Sequence, residues 1–147
     1  MDKKSTLKMI ADISTANGVS GFEDLVVEKI REHSQGLGTI KEDSLRNLYI
    51  YRKENTGNRI TVQLDAHSDE VGFMVQAVRP NGTLQIIPIG GWVSSNVPAH
   101  RMWVRNAEGK YSLGITASKP PHFMSESERK APLDINDITV DVGAVSR

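Results

Sequence analysis

From Ile60 to His67 the chain alternates, with Ile60, Val62, Leu64 and Ala66 on one side and Thr61, Gln63, Asp65 and His67 on the other. A period of two predicts a strand, because successive side chains leave a pleated backbone on opposite faces. The pattern breaks at His67-Ser68-Asp69-Glu70, where an imidazole and two carboxylates crowd the strand end, and Val71 to Val75 turns apolar again. A neutral imidazole is the commonest transition-metal ligand. A carboxylate two residues on can accept the proton of its other ring nitrogen and so fix tautomer and ring orientation. His67 with Asp69 is therefore a candidate metal ligand with its orienting partner. The plainer alternative is a strand-end histidine, hydrogen-bonded to a neighbour and otherwise inert.

Several classes of function are excluded by composition. Eighteen basic residues against eighteen acidic ones give a formal net charge of zero, with no basic block at either end, so neither nucleic acid nor an anionic membrane is an expected partner. With no cysteine there is neither a disulfide framework nor a thiolate site, and any metal must be held by imidazole and carboxylate. The first fourteen residues, MDKKSTLKMIADIS, are too polar for a secretory signal, and no apolar run approaches eighteen residues, which makes a cytoplasmic address the expectation. A length of 147 residues suits one ordinary domain or two small ones.

Taken in order, Ser5 to Ala16 places Leu7, Ile10, Ala11 and Ile13 near helical spacing, and Asn17-Gly18 supplies a stop. A second helix is expected to start at Ser20-Gly21-Phe22-Glu23, which has the capping-box form, with Phe22, Leu25, Val26 and Ile30 as its core stripe. Capping would then account for Ser20 and Glu23 without any catalytic role. Thr39 to Asp43 and Asn47 to Lys53 read as a strand pair, and Asn55-Thr56-Gly57-Asn58 as a turn cluster feeding the alternating strand from Arg59. Two helices and three strands, with the candidate ligand at the tip of the third, suit one edge of an α/β sandwich, a fold whose active sites commonly lie at strand ends.

Beyond Glu70 the chain reads as strand after strand: 72–78, 83–89, 101–105 and 110–116, with turns at Pro80-Asn81-Gly82 and 106–109. No useful helical period appears between Val71 and Ser118, so this half is expected to be a small antiparallel barrel or sandwich. The domain boundary is placed near residue 71. His33 is expected to pack at a helix end, His100 to be structural, and Trp92 and Trp103 to fill a core or a subunit interface. His122 follows two prolines and precedes the charged run Ser125 to Lys130, which suits an exposed loop; it is not assigned as a ligand.

Four segments together resemble the M42 family of metallo-aminopeptidases: Val19-Ser20-Gly21-Phe22-Glu23, the string AHSDEVGFMV, Ser118-Lys119-Pro120-Pro121-His122, and ITVDVGA from Ile138 to Ala144. The resemblance implies an α/β metallopeptidase domain, its partial copy at 1–70, interrupted by a small antiparallel β-barrel, PDZ-like, at 71–147 that mediates dimerisation and returns towards the catalytic domain near its end. It implies two divalent ions per complete subunit, zinc, cobalt or manganese. The histidine matching His67 is a metal ligand, and the aspartate matching Asp69 is a catalytic-site residue that orients it. Metal-activated water then releases N-terminal residues from peptide substrates with a glutamate as general base. Family members form homo-oligomers through the β-rich domain. Asp65 and Ser68 stand where the family more often has a small residue and methionine.

In the family, the bridging aspartate, the Glu-Glu pair, a further aspartate and the second histidine lie beyond the strand matching ITVDVGA. This chain is therefore expected to be the N-terminal portion of such an enzyme, inactive alone. Two rivals stand beside that reading: a non-catalytic dimerisation or regulatory module, and a mononuclear site built from His67, Asp69 and either His100 or His122. An endoglucanase chemistry, which some members have been credited with, would need two carboxylates flanking a glycosidic bond, and the His-x-Asp string does not resemble that arrangement.

Overall fold

The computed structural model describes residues 2–57 and 60–147. Asn58 and Arg59, at the end of the expected turn cluster and the start of the expected strand, lie outside the described residues. The chain divides into two compact units, 1–70 and 71–147.

In the first unit, α1 (Lys3–Ser14) is capped by Asp2, whose carboxylate accepts from the Ser5 N–H at 3.0 Å and satisfies one of the donors a helix start leaves open. Helix α2 spans Asp24–His33, three residues later than the capping-box pattern suggests. Its N-cap is Glu23, which makes no side-chain capping bond; the Glu23 carboxylate accepts from the Gly21 N–H at 2.7 Å instead. The expected Ser20–Glu23 capping box is absent because the Ser20 hydroxyl is engaged by Asp69. Val26, expected in the core stripe, is buried together with Val27, while Phe22, which precedes the helix, and Leu25 are exposed. At its far end His33 Nε2 lies 2.9 Å from Asp12 Oδ2 on α1, the helix-end packing expected of it.

Strands β1 (Gly38–Glu42) and β2 (Leu48–Arg52) pair antiparallel with Ile40 opposite Ile50. Arg46 takes φ 69° in their connection and reaches both Glu42, at 3.0 Å, and Asp24 at the start of α2, at 2.9 Å. Arg31 of α2 also pairs with Glu42. These exposed pairs orient the hairpin on the helix and each add little stability.

The alternating run after the hairpin is not a strand here. Residues 60–66 join no ladder among the described residues, and Ile60, Val62 and Leu64 are 93%, 79% and 94% exposed. Alternation encodes which side chains share a face. A strand also needs a neighbour for its N–H and C=O groups, and the described residues provide none.

The second unit holds a five-stranded antiparallel sheet, counted among the described residues. It is made of β3 (Gly72–Val78), β4 (Leu84–Ile89), β5 (Arg101–Arg105), β6 (Tyr111–Ala117) and β7 (Thr139–Asp141), in the order β3-β4-β7-β6-β5. Among the described residues, pairing runs from β3 to β5 without joining those two edges, an open antiparallel sheet in partial keeping with the barrel or sandwich expected. The β3–β4 hairpin turns at Asn81-Gly82, with Gly82 at φ 82° and the Asn81 side chain accepting from the Thr83 N–H. One face carries the core, Leu84, Ile86, Val97, Ile138 and Val140, with Phe73, Trp92 and Val104 packed against it. Trp92 stacks on Phe73 at 4.7 Å between ring centroids and donates its indole N–H to the Gly72 carbonyl at 3.0 Å. Trp103 lies on the other face, 62% exposed.

Val97 reaches the core from a 3₁₀ turn at Ser94–Asn96, held by a buried hydroxyl. Thr116 Oγ1 donates to the Val97 carbonyl and accepts from the His100 N–H at 2.9 Å. The role of His100 here is thus its backbone, in keeping with the structural reading. The charged run after His122 is not a loop: Ser125 and Glu128 form a reciprocal capping box at the start of a short helix, α3 (Glu126–Lys130). Lys119 pairs with Glu128 at 2.6 Å. The lysine and the box's hydrogen bonds hold the Glu128 carboxyl down at about 2.

Candidate functional site

His67 and Asp69 meet as their spacing suggests, and two residues of chain are enough to bring them together. His67 Nδ1 lies 2.9 Å from the Asp69 backbone carbonyl and 3.1 Å from Asp69 Oδ1. Both oxygens can only accept, so Nδ1 carries the proton and Nε2 of the neutral ring keeps its lone pair. Nε2 makes no hydrogen bond among the described residues, and the side chain is 86% exposed.

The other carboxylate oxygen, Asp69 Oδ2, accepts from the Ser20 hydroxyl. That bond, reinforced by the His67 contact, lowers the Asp69 pKa against the opposing effect of partial burial. Asp69 is thus held ionised between a serine and a histidine, and its two oxygens serve one each.

A shallow hollow beside this corner has a volume of about 200 Å³; Ile13 and Ala16 near the end of α1, Val26 and Ile30 of α2, and His67 to Glu70 line it. The donor set suits a borderline divalent ion as far as it goes: one free imidazole nitrogen, oriented by a carboxylate. Among the described residues no group of three or more His, Cys, Asp or Glu side chains could hold a metal. His100 and His122 belong to the second unit.

Ser20 is the site residue that reading the sequence misses. A hydroxyl three residues before a glutamate has the form of a cap, whereas its actual partner is 49 residues away. The available signal was the resemblance of Val19–Glu23 to a segment of the M42 family, which a local cap does not explain.

The chain belongs to the M42 peptidase family, whose model, described as M42 glutamyl aminopeptidase, matches residues 47–147. The lysyl aminopeptidase of Pyrococcus furiosus is 31% identical over 146 residues, covering 95% of this chain and 40% of that protein. The glutamyl aminopeptidase of Lactococcus lactis is 30% identical over 113 residues, covering 76% of this chain and 32% of that protein. Among solved structures, the TET aminopeptidase of a marine sediment archaeon, Thaumarchaeota archaeon SCGC AB-539-E09, superimposes with a TM-score of 0.88 at 33% identity. That match covers 97% of this chain and 39% of the archaeal one. The chain therefore spans about two-fifths or less of the length of these relatives.

Among the described residues, no helix is long and apolar enough to cross a membrane.

Proposed function

We propose that these residues form the histidine corner of a divalent-metal-dependent aminopeptidase, with His67 as a ligand to one of two metal ions, zinc, cobalt or manganese. The observation that carries this reading is the locked ring: Asp69 accepts a hydrogen bond from Nδ1–H and leaves Nε2 open on an exposed side chain. When bound, such ions supply Lewis acidity towards a peptide carbonyl and towards water. The chain's own contribution is positional. Asp69 fixes the direction of the ring and raises its basicity, and Ser20 occupies the remaining carboxylate oxygen.

Family membership supports peptide substrates. It does not select one, since relatives of similar identity are named for glutamyl and for lysyl residues. One imidazole with an orienting carboxylate falls short of the three protein ligands a catalytic zinc site takes, so the 147-residue chain by itself is expected to be inactive.

The second unit supports an assembly role, as the inserted dimerisation domain or as a purely regulatory module. Trp103 and Leu113 are cross-strand partners on β5 and β6, Ile115 lies on the same face, and the three are 62%, 47% and 50% exposed. Apolar side chains grouped in this way favour a homo-oligomer.

The test is a titration of the purified chain with zinc, cobalt or manganese, followed at the His67 ring resonances and paired with peptide hydrolysis. Binding that His67→Ala abolishes, without turnover, is the expected result. Binding indifferent to His67→Ala would remove His67 as the ligand, and turnover that vanishes in His67→Ala would overturn the expected inactivity. A chain that stays monomeric at high concentration in sedimentation would count against the assembly role.

A further inference from the structure

The Ser20–Asp69 contact is built into the backbone. Residues 18–20 run alongside 69–70. The Glu70 N–H donates to the Gly18 carbonyl at 2.7 Å, the Gly18 N–H donates to Glu70 Oε1 at 3.1 Å, and Val19 and Glu70 form a parallel bridge. This double tie sets Ser20 beside Asp69. The segment is also seated closely on α2, because a Cβ on Gly18 would lie 2.4 Å from Cγ2 of Val26, itself buried. Ser20 has no competing duty as a cap, since α2 begins at Asp24 behind Glu23.

A carboxylate bonded at one oxygen can still swing about its terminal torsion, which is broad for aspartate. Here each oxygen has its own donor: Ser20 Oγ on Oδ2 and His67 Nδ1 on Oδ1. We infer that Ser20 is a positioning residue that locks the Asp69 carboxylate, so that His67 keeps its Nδ1–H tautomer and presents Nε2 outward. Its meaning for catalysis rests on the reading of His67 as a metal ligand; its effect on the ring does not. Ser20 acts on the imidazole only through Asp69, and loss of a partner in such an outer layer typically weakens metal binding by about 10- to 100-fold. The lower end is expected for a group one bond further out.

The experiment uses the full 147-residue chain, labelled with ¹⁵N at histidine and free of metal. In the unsubstituted protein the His67 nitrogens should report the Nδ1–H tautomer. Ser20→Ala should shift them towards a mixture with the Nε2–H form and weaken zinc binding about tenfold, while Ser20→Thr, which restores a hydroxyl, should recover both. An unchanged tautomer in a folded Ser20→Ala protein overturns the inference. Should that variant unfold, the unsubstituted protein still decides. A solvent-isotope shift at the Asp69 carboxyl carbon from the Ser20 hydroxyl is expected, and its absence is equally fatal. A tautomer governed by Ser20 in a chain whose zinc binding ignores His67→Ala would sustain this inference and defeat the functional reading. Zinc bound at His67 with no response to Ser20→Ala would do the reverse.

Discussion

The two units solve the burial problem differently. Residues 71–147 enclose Ile138 and Val97 completely, and Thr116 donates to the Val97 carbonyl that comes in with Val97. Residues 1–70 bury Val26 and Val27 and leave Ile60, Val62 and Leu64 almost bare. The candidate chemistry sits in the less self-contained unit. What holds the site there is a few long-range hydrogen bonds, so stability and site geometry should respond to different substitutions.

The largest expected effect tests the contrast directly. Ile138→Ala removes a fully buried side chain and should cost about 2 to 5 kcal/mol, whereas Leu64→Ala, at 94% exposed, should cost next to nothing. Hydrogen exchange followed unit by unit would show it; comparable losses from both substitutions would mean that the run at 60–66 is covered in solution.

Of intermediate size is Gly18→Ala. The added methyl meets the stiff, β-branched Val26 and should cost about 1 to 3 kcal/mol, all of it in the first unit. The same variant should loosen Ser20 from Asp69, read as a change in the His67 ring nitrogens. A change in stability with no change at the ring would separate packing from positioning.

The smallest effect is local and pH-dependent. The Glu128 carboxyl titrates at about 2 in the folded chain against a usual 4.5. A depressed carboxylate stabilises the fold fully above its unfolded value and loses that contribution as pH falls through the folded one. The start of α3 should therefore loosen between about pH 4.5 and 2, measured by exchange of the Glu128 amide, and Glu128→Gln should abolish that dependence.

How much could be read from the sequence depends on the range of the contacts involved. The strands of the second unit were legible because alternation and an Asn-Gly turn are local signals, and the observed β3, β4, β5 and β6 fall within a residue of expectation. His67 and Asp69 were legible for the same reason. Three features were not. The strand expected at 60–66 is a statement about faces made by a segment with no pairing partner among the described residues. The start of α2 moved because the Ser20 hydroxyl found a carboxylate 49 residues away rather than the helix. The helix at Glu126–Lys130 was hidden inside a run of charges, although Ser125 and Glu128 have the same three-residue spacing as Ser20 and Glu23. One pattern, serine three before glutamate, thus made a true cap in one place and half of a distant site in the other.

The tie between Gly18 and Glu70 also has a kinetic consequence. Ser20 meets Asp69 only when a 49-residue loop closes, while β3 and β4 need close only a short turn. Loop closure costs entropy before any contact repays it, and such contacts tend to form late. The corner around His67 should be among the last features to appear on refolding, with the Glu70 amide gaining protection after that of Leu84. A nascent chain would carry both helices and the hairpin before Asp69 had met Ser20.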